Sequence, residues 1–501
     1  MTTTEEPSGT RARRDAAIGA LIGALIGAGV CWLMQQAWGD DALITVSYAR
    51  TLAESGTWGV FPDLTANTQT SPLNAWLLAA GIVVVHEPLL VACGVAVLSL
   101  AGCGWLAVAL AHRVGVAPAG GWLAIGLIAT SPVLTATVGL EAYLGAAVLL
   151  GLAVAALGGR VVATGLLCGL AVLTRPDLAV PAAVLALGLL VAPPPARARH
   201  AVPTRPRRIL GLLGVLVLAA AVALPWHVWS WFHLGGAVPD TTWVRTGDRS
   251  GPTVVPAVVG YLQAFPVATV GSAIPVVLAV VAAALAVPRW RARWARAVLL
   301  LVTAGWAHLA ALQLIGAQGA GWYYGPLIAC SAAALGIAAA AAGGRVLALV
   351  GIGGVAVLAA AGVALSGPLP WRSAPMVANL ALTTQYAAVA AELPALTGGE
   401  PVAGPGELGA LAYYAAPVKI LDFLSEPART DVVMAQRAAE GGLRAELMRL
   451  NALHRQSPPP ISTRWSLEFV DPAAAKGRVV HVWPVQSPEG VPGTLVLTEQ
   501  G

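Results

Sequence analysis

The chain has 501 residues, 57% of them hydrophobic and 11% charged, with a formal net charge of +5 and a mean hydropathy of +0.75. A soluble domain carries about 25% charged residues, so this composition excludes a soluble globular protein and describes a polytopic membrane protein. All five cysteines (Cys31, Cys93, Cys103, Cys168, Cys330) lie in apolar runs, which argues against a disulfide framework or a zinc site.

Arg11, Arg13 and Arg14 precede an apolar run from Ala16 to Trp38. That run is long enough to span and lacks a small-x-small exit, so it reads as an uncleaved first helix behind a cytoplasmic tail, residues 1–15. Gly19, Gly23 and Gly27 recur every fourth residue, which permits close helix packing. A first outer loop, 39–88, follows. It holds Asp40 and Asp41, an amphipathic piece, a loop rich in Gly, Pro, Asn and Thr, and a short apolar stretch from Leu73 to Val85. Further spans are expected at about 89–111, 119–138, 141–157, 161–174, 178–192, 209–232, 256–287, 297–316, 325–342 and 346–366. The 256–287 run is long enough to contain a break at Gly271 or Pro275. Residues 367–501 have mixed composition and read as a soluble α/β domain.

Arginine placement sets the topology, because cytoplasmic loops are enriched in Lys and Arg. The N-terminus, 193–208 (Arg197, Arg199, Arg205, Arg207, Arg208) and 289–296 (Arg289, Arg291, Arg293, Arg296) are strongly basic. Arg113, Arg160 and Arg345 join them. All lie inside together only if Leu73–Val85 does not cross, which leaves eleven spans and an extracytoplasmic C-terminal domain. The basic loops then reflect topology and anionic lipid rather than nucleic acid.

The less basic face gathers the polar motifs. Asp40 and Asp41 suit a general base and a positioning group for an attacking hydroxyl. The same pair suits a divalent cation, whose ligands are hard oxygens. Glu141, in Gly139–Leu140–Glu141, is either a helix cap or a site residue. In LTRPD, Arg175 offers a guanidinium for bidentate phosphate binding, and Asp177 starts the next helix. The 233–249 loop carries Asp240, Arg245, Asp248 and Arg249. Trp322, Tyr323 and Tyr324 either stack on sugars or form an interfacial belt. His308, inside a span, reads as a packing residue.

The stretches GDDALITVSYARTLAESG, TSPLNAWLLA, GLEAYL, LAVLTRPD, GGAVPDTTWVRTG and GELGALAYYAAPVKILDFLSE, in that order, resemble the GT-C superfamily of glycosyltransferases that use polyprenyl-phosphate sugars. Within it the resemblance is to the AftB-type arabinofuranosyltransferases of actinobacteria. It implies about eleven transmembrane helices, an outward-facing catalytic Asp on the first loop, and a C-terminal extracytoplasmic α/β domain. Carried over by position, Asp40 and Asp41 become the catalytic pair, with Asp40 favoured as base. Glu141, Arg175, Asp177, Asp240, Arg245, Trp322 and Tyr323 become substrate-binding. Asp240 stands where relatives have Asn, and the GWYYGPL run lacks a basic residue that several relatives carry. The expected partners are a polyprenyl-phosphate sugar donor, a cell-envelope glycan acceptor and the bilayer, with no certain cofactor. An enzyme of the same fold moving mannose to protein or lipid is the alternative. A lipid-linked glycan transporter would instead show internal repeats and midplane charges, whereas these charges sit at span ends.

Overall fold

The computed structural model describes residues 9–191, 205–246, 251–365, 368–456 and 458–500. Arg197, Arg199, Asp248 and Arg249 therefore lie outside the described residues.

The helices run in chain order. The first group is α1 (Gly9–Met34), α2 (Asp40–Ser55), α3 (Pro72–Val85), α4 (Pro88–Val114), α5 (Ala119–Ala129), α6 (Pro132–Thr135), α7 (Ala142–Leu157) and α8 (Val161–Thr174). Next come α9 (Ala179–Ala186), α10 (Gly188–Val191), α11 (Arg205–His233), α12 (Asp240–Val244), α13 (Ala257–Ala264), α14 (Pro266–Ala286), α15 (Arg293–Leu314) and α16 (Gly325–Leu365). Among the described residues, six helical segments are long and apolar enough to cross a membrane, and five further apolar helices are shorter. Each expected span coincides with a helix or a broken pair of helices. The spans expected at 325–342 and 346–366 are the two arms of α16, separated at Gly344, whose φ of 59° and ψ of −141° suit only glycine.

The expected break in 256–287 falls elsewhere. Phe265, at φ −132° and ψ 61°, separates α13 from α14, because the ring of Pro266 disfavours the helical region for the residue before it. Gly271 and Pro275 both lie inside α14. The first helix starts earlier than expected, at Gly9, so it runs through the basic tail.

The glycine ladder of α1 packs on α4. A Cβ on Gly23 would lie 2.2 Å from the Leu100 carbonyl oxygen, and one on Gly19 would lie 2.5 Å from that of Gly104. The two backbones therefore approach as closely as small residues allow.

Beyond the bundle, α17 (Thr383–Thr397), α18 (Gly409–Tyr414), α19 (Pro427–Ala438) and α20 (Gly442–Asn451) accompany five short strands. The strands are β1 (Val402–Ala403), β2 (Ile420–Leu421), β3 (Trp465–Phe469), β4 (Arg478–Gln486) and β5 (Pro492–Glu499), in the sheet order β2-β1-β3-β5-β4. β1 pairs parallel with β2 and β3, and β5 pairs antiparallel with β3 and β4. Val402, Ile420, Leu467, Leu495 and Leu497 bury the core of this layer.

Candidate active site

The site is assembled from helix ends. A cavity of about 100 Å³ lies between the first turns of α2, the start of α7, the end of α8, α12, the end of α15 and the start of α16. At the other end of α7 and α15, Leu157, Arg293 and Arg296 cluster with Arg113, Val114 and Val191. The cavity and this arginine group thus occupy opposite ends of the same two helices. At about 1.5 Å per residue the 22 residues of α15 span about 33 Å, the thickness of a bilayer core.

Two arginine clusters form the polar walls. In the first, Arg175 donates from Nη1 to Glu141 Oε1 at 2.7 Å, from Nε to Asp177 Oδ1 at 2.9 Å, and from Nη2 to Asp177 Oδ2 at 3.3 Å. His308 Nε2 bonds Asp177 Oδ2 at 2.9 Å. The guanidinium lies 4.9 Å from the ring centre of Tyr323. Pro176 ends α8 here, and Arg175 is extended at φ −162° and ψ 135°, as a residue preceding proline prefers. That turn sends Arg175 and Asp177 to one side. The cluster is buried, and its guanidinium is paired with two carboxylates, as a charge at this depth requires.

The second cluster is looser. Arg245 Nη2 meets Asp41 Oδ1 at 3.3 Å, and both side chains stay about a third exposed, at 31% and 36%. Arg245 also lies 5.2 Å from the ring centre of Trp322. Its ion pair is long and partly exposed, so another anion can compete for it. Thr45, Thr68, Thr70, Thr241, Thr242 and Thr246 add hydroxyls to the lining. Gln69 is buried there with its Nε2 unpaired by protein.

Seven of the nine residues singled out from sequence line this cavity: Asp41, Glu141, Arg175, Asp177, Arg245, Trp322 and Tyr323. Asp40 and Asp240 do not. Asp40 turns away from the cavity and receives the backbone N–H groups of Ala410 at 2.8 Å and Leu408 at 3.2 Å. Burial pushes its carboxyl up to about 6, opposed by the backbone N–H groups of Ala410 and Gly409. It sits in the first turn of α2, where a carboxylate suits the helix dipole, and it clasps the C-terminal region to the first loop. Asp240 is buried and paired with Arg455 at 2.7 Å, and Arg455 also holds Asp431. Burial raises the Asp240 carboxyl, and Arg455 counters it. Both residues are fasteners in this geometry, and Asp41 is the carboxylate of the couplet that faces the cavity.

The C-terminal region reaches the site through the same seam. Gly409 packs on α2 so closely that a Cβ would lie 1.9 Å from the Asp40 carbonyl oxygen. Asn379 Oδ1 accepts from the Asp40 N–H at 3.2 Å. Asp422 takes the N–H groups of Leu424 and Ser425, which folds a turn that brings Leu424 to the cavity wall. Thr68 donates to the Leu424 carbonyl at 2.6 Å. The Gly409-to-Asp422 stretch thus meets the first loop directly.

Sequence reasoning missed His308, the threonine lining and Gln69. His308 lies two turns from the end of α15, and that position alone was its signal. Among the described residues no group of three or more His, Cys, Asp or Glu side chains is arranged to hold a metal ion. Asp40 and Asp41 point to different partners.

A broken-helix bundle with a carboxylate–arginine cavity at one end and a small α/β layer seated over it is a polytopic α-helical membrane protein. Its fold is shared with ArnT from Cupriavidus metallidurans. The crystal structure of that protein in the apo state aligns with a TM-score of 0.58 at 14% identity, covering 96% of this chain and 98% of that one. The structure bound to undecaprenyl phosphate aligns with a TM-score of 0.54 at 16% identity, covering 96% and 97%. No protein-family profile and no curated protein sequence matches the chain.

Proposed function

We propose that this protein is a membrane glycosyltransferase that transfers a sugar from a polyprenyl-phosphate donor to a cell-envelope glycan acceptor on the outer face of the membrane. The observation that carries this reading is the pairing of Asp41 with Arg245. A carboxylate able to take a proton and a cation able to take a phosphate share one cavity at a helix-bundle end. The full-length likeness to a protein crystallised with undecaprenyl phosphate supports the donor class. The arginine group at the opposite end supports an outward-facing site by the positive-inside rule.

In this reading the donor phosphate draws Arg245 away from Asp41. The freed carboxylate removes the proton of the acceptor hydroxyl. The acceptor oxygen bonds to the anomeric carbon as the bond from that carbon to the phosphate oxygen breaks. The lipid phosphate leaves with its charge held by Arg245. Arg175, matched by two carboxylates, holds the wall and leaves phosphate binding to Arg245. The motif resemblance favours arabinofuranose as the sugar. The C-terminal α/β region, residues 367–501, supplies the acceptor side, because its Leu424 borders the cavity.

The test is product analysis by mass spectrometry, with purified protein, synthetic polyprenyl-phosphate arabinofuranose and polyprenyl-phosphate mannose, and a glycan acceptor. Transfer from the arabinose donor is expected. Transfer only from the mannose donor would replace the sugar assignment. Movement of intact donor across vesicles without transfer would replace the enzyme by a transporter.

A further inference from the structure

The helix α20 has two apolar faces, and only one is used. Ala445 and Met448 point into the fold and are buried. On another face, Leu443, Leu447 and Leu450, with Leu453 in the turn beyond, expose 46–76% of their surface. The spacing i, i+4, i+7 puts the first three on one stripe. Four large apolar side chains exposed in a row mark an interaction site.

The position of the stripe identifies what covers it. The last turns of α11, which leads from the bundle into the cavity wall, carry Trp229, Trp231 and Phe232; Trp229 and Phe232 are exposed. Trp231 Nε1 donates to the Leu450 carbonyl at 3.2 Å. The His454 ring lies 5.0 Å from Trp231 and 4.6 Å from Phe232. The leucine stripe is therefore continuous with the aromatic end of a spanning helix, the level at which Trp marks the membrane–water boundary.

We propose that α20 is an interfacial helix that lies along the bilayer surface with its leucine stripe among the lipid headgroups and upper acyl chains. The helix also braces the segment around α12, which lines the cavity. Asn451 accepts from the Val238 N–H at 2.9 Å and donates to its carbonyl at 3.0 Å, and Arg444 bonds the Trp243 carbonyl. Lipid contact along α20 therefore seats the α12 wall, with Thr241, Thr242 and Arg245, at headgroup depth, where a lipid-borne phosphate lies. The inference rests on the membrane fold and holds whatever the reaction.

The test uses the full chain in nanodiscs of phosphatidylcholine and phosphatidylglycerol. Spin labels are placed singly at Leu447→Cys, Leu450→Cys and Leu443→Cys, and at the exposed Glu489→Cys on the β4–β5 turn. The unlabelled background is set by the native chain treated with the same reagent, since four native cysteines are buried and Cys93 is partly so. Collisions with oxygen, which concentrates in lipid, are compared with those of a water-soluble nickel chelate. Oxygen should dominate at the three leucine positions and nickel at Glu489. Nickel dominance at Leu447 and Leu450 would overturn the proposal. So would spin–spin broadening between chains in discs loaded with two copies, since a second copy would then cover the stripe.

Discussion

Replacing Gly409 by alanine should unfasten the C-terminal region from the first loop. The added Cβ would lie 1.9 Å from the Asp40 carbonyl oxygen and 2.9 Å from the Ile44 nitrogen. Both are backbone atoms of α2, which cannot swing aside as a side chain can, so α18 must move away. Two hydrogen bonds to the Asp40 carboxylate, from Leu408 at 3.2 Å and Ala410 at 2.8 Å, then lengthen or break. A bond to a charged group contributes about 1.5–3 kcal/mol, so the seam should lose about 3–6 kcal/mol. The assay is limited proteolysis of residues 368–408 in detergent, followed against time beside thermal unfolding. Gly409→Ala should be cut much faster, with an earlier unfolding step for the C-terminal region. Unchanged cleavage and an unchanged transition would refute the reasoning that this contact is backbone-limited.

Three further outcomes are expected. Arg175→Met removes the partner of Glu141 and Asp177 and should destabilise the bundle by about 3–5 kcal/mol, the cost of orphaning buried charge, read as a lowered transition in detergent. Glu407, bonded to the Leu380 N–H and the Tyr386 hydroxyl, has its carboxyl pushed from 4.5 up to about 8, first by burial and then by Asp40. The folded form therefore holds a proton that the unfolded form releases, so this group's stabilisation is full below about pH 4.5 and is lost as pH rises through about 8. Glu407→Gln should flatten that decline; an unchanged pH profile would exclude Glu407 as its source. Gly23→Val should separate α1 from α4, because its Cβ would lie 2.2 Å from the Leu100 carbonyl oxygen. The check is loss of a crosslink between cysteines placed across the two helices.

The spans were legible because apolar runs report burial in lipid directly. The division of α16 was legible as two runs flanking Gly343–Gly344–Arg345. The break in 256–287 was not: two candidates inside the run looked like breakers, whereas the governing restriction is on Phe265, one residue before a proline. Most of the charged lining of the candidate cavity was legible for a related reason. Charged groups at span ends are few, and they converge because helix ends share a plane. The roles of Asp40 and Asp41 could not be separated in sequence. Neighbours on a helix point about 100° apart, and what each meets is decided by chain 368 residues away for Asp40 and 204 residues away for Asp41. Asp240 looked like a site residue because its partner, Arg455, lies 215 residues downstream. His308 was read as packing because nothing local announces Asp177, 131 residues earlier.

The most direct measurement is the rate of sugar transfer by Asp41→Asn and Asp40→Asn, each compared with the native chain and each checked for folding. With Asp41 as the base, Asp41→Asn should lose about 10²- to 10⁴-fold in turnover at an unchanged unfolding temperature, while Asp40→Asn should lose mainly stability. Near-native turnover by Asp41→Asn would contradict the central assignment.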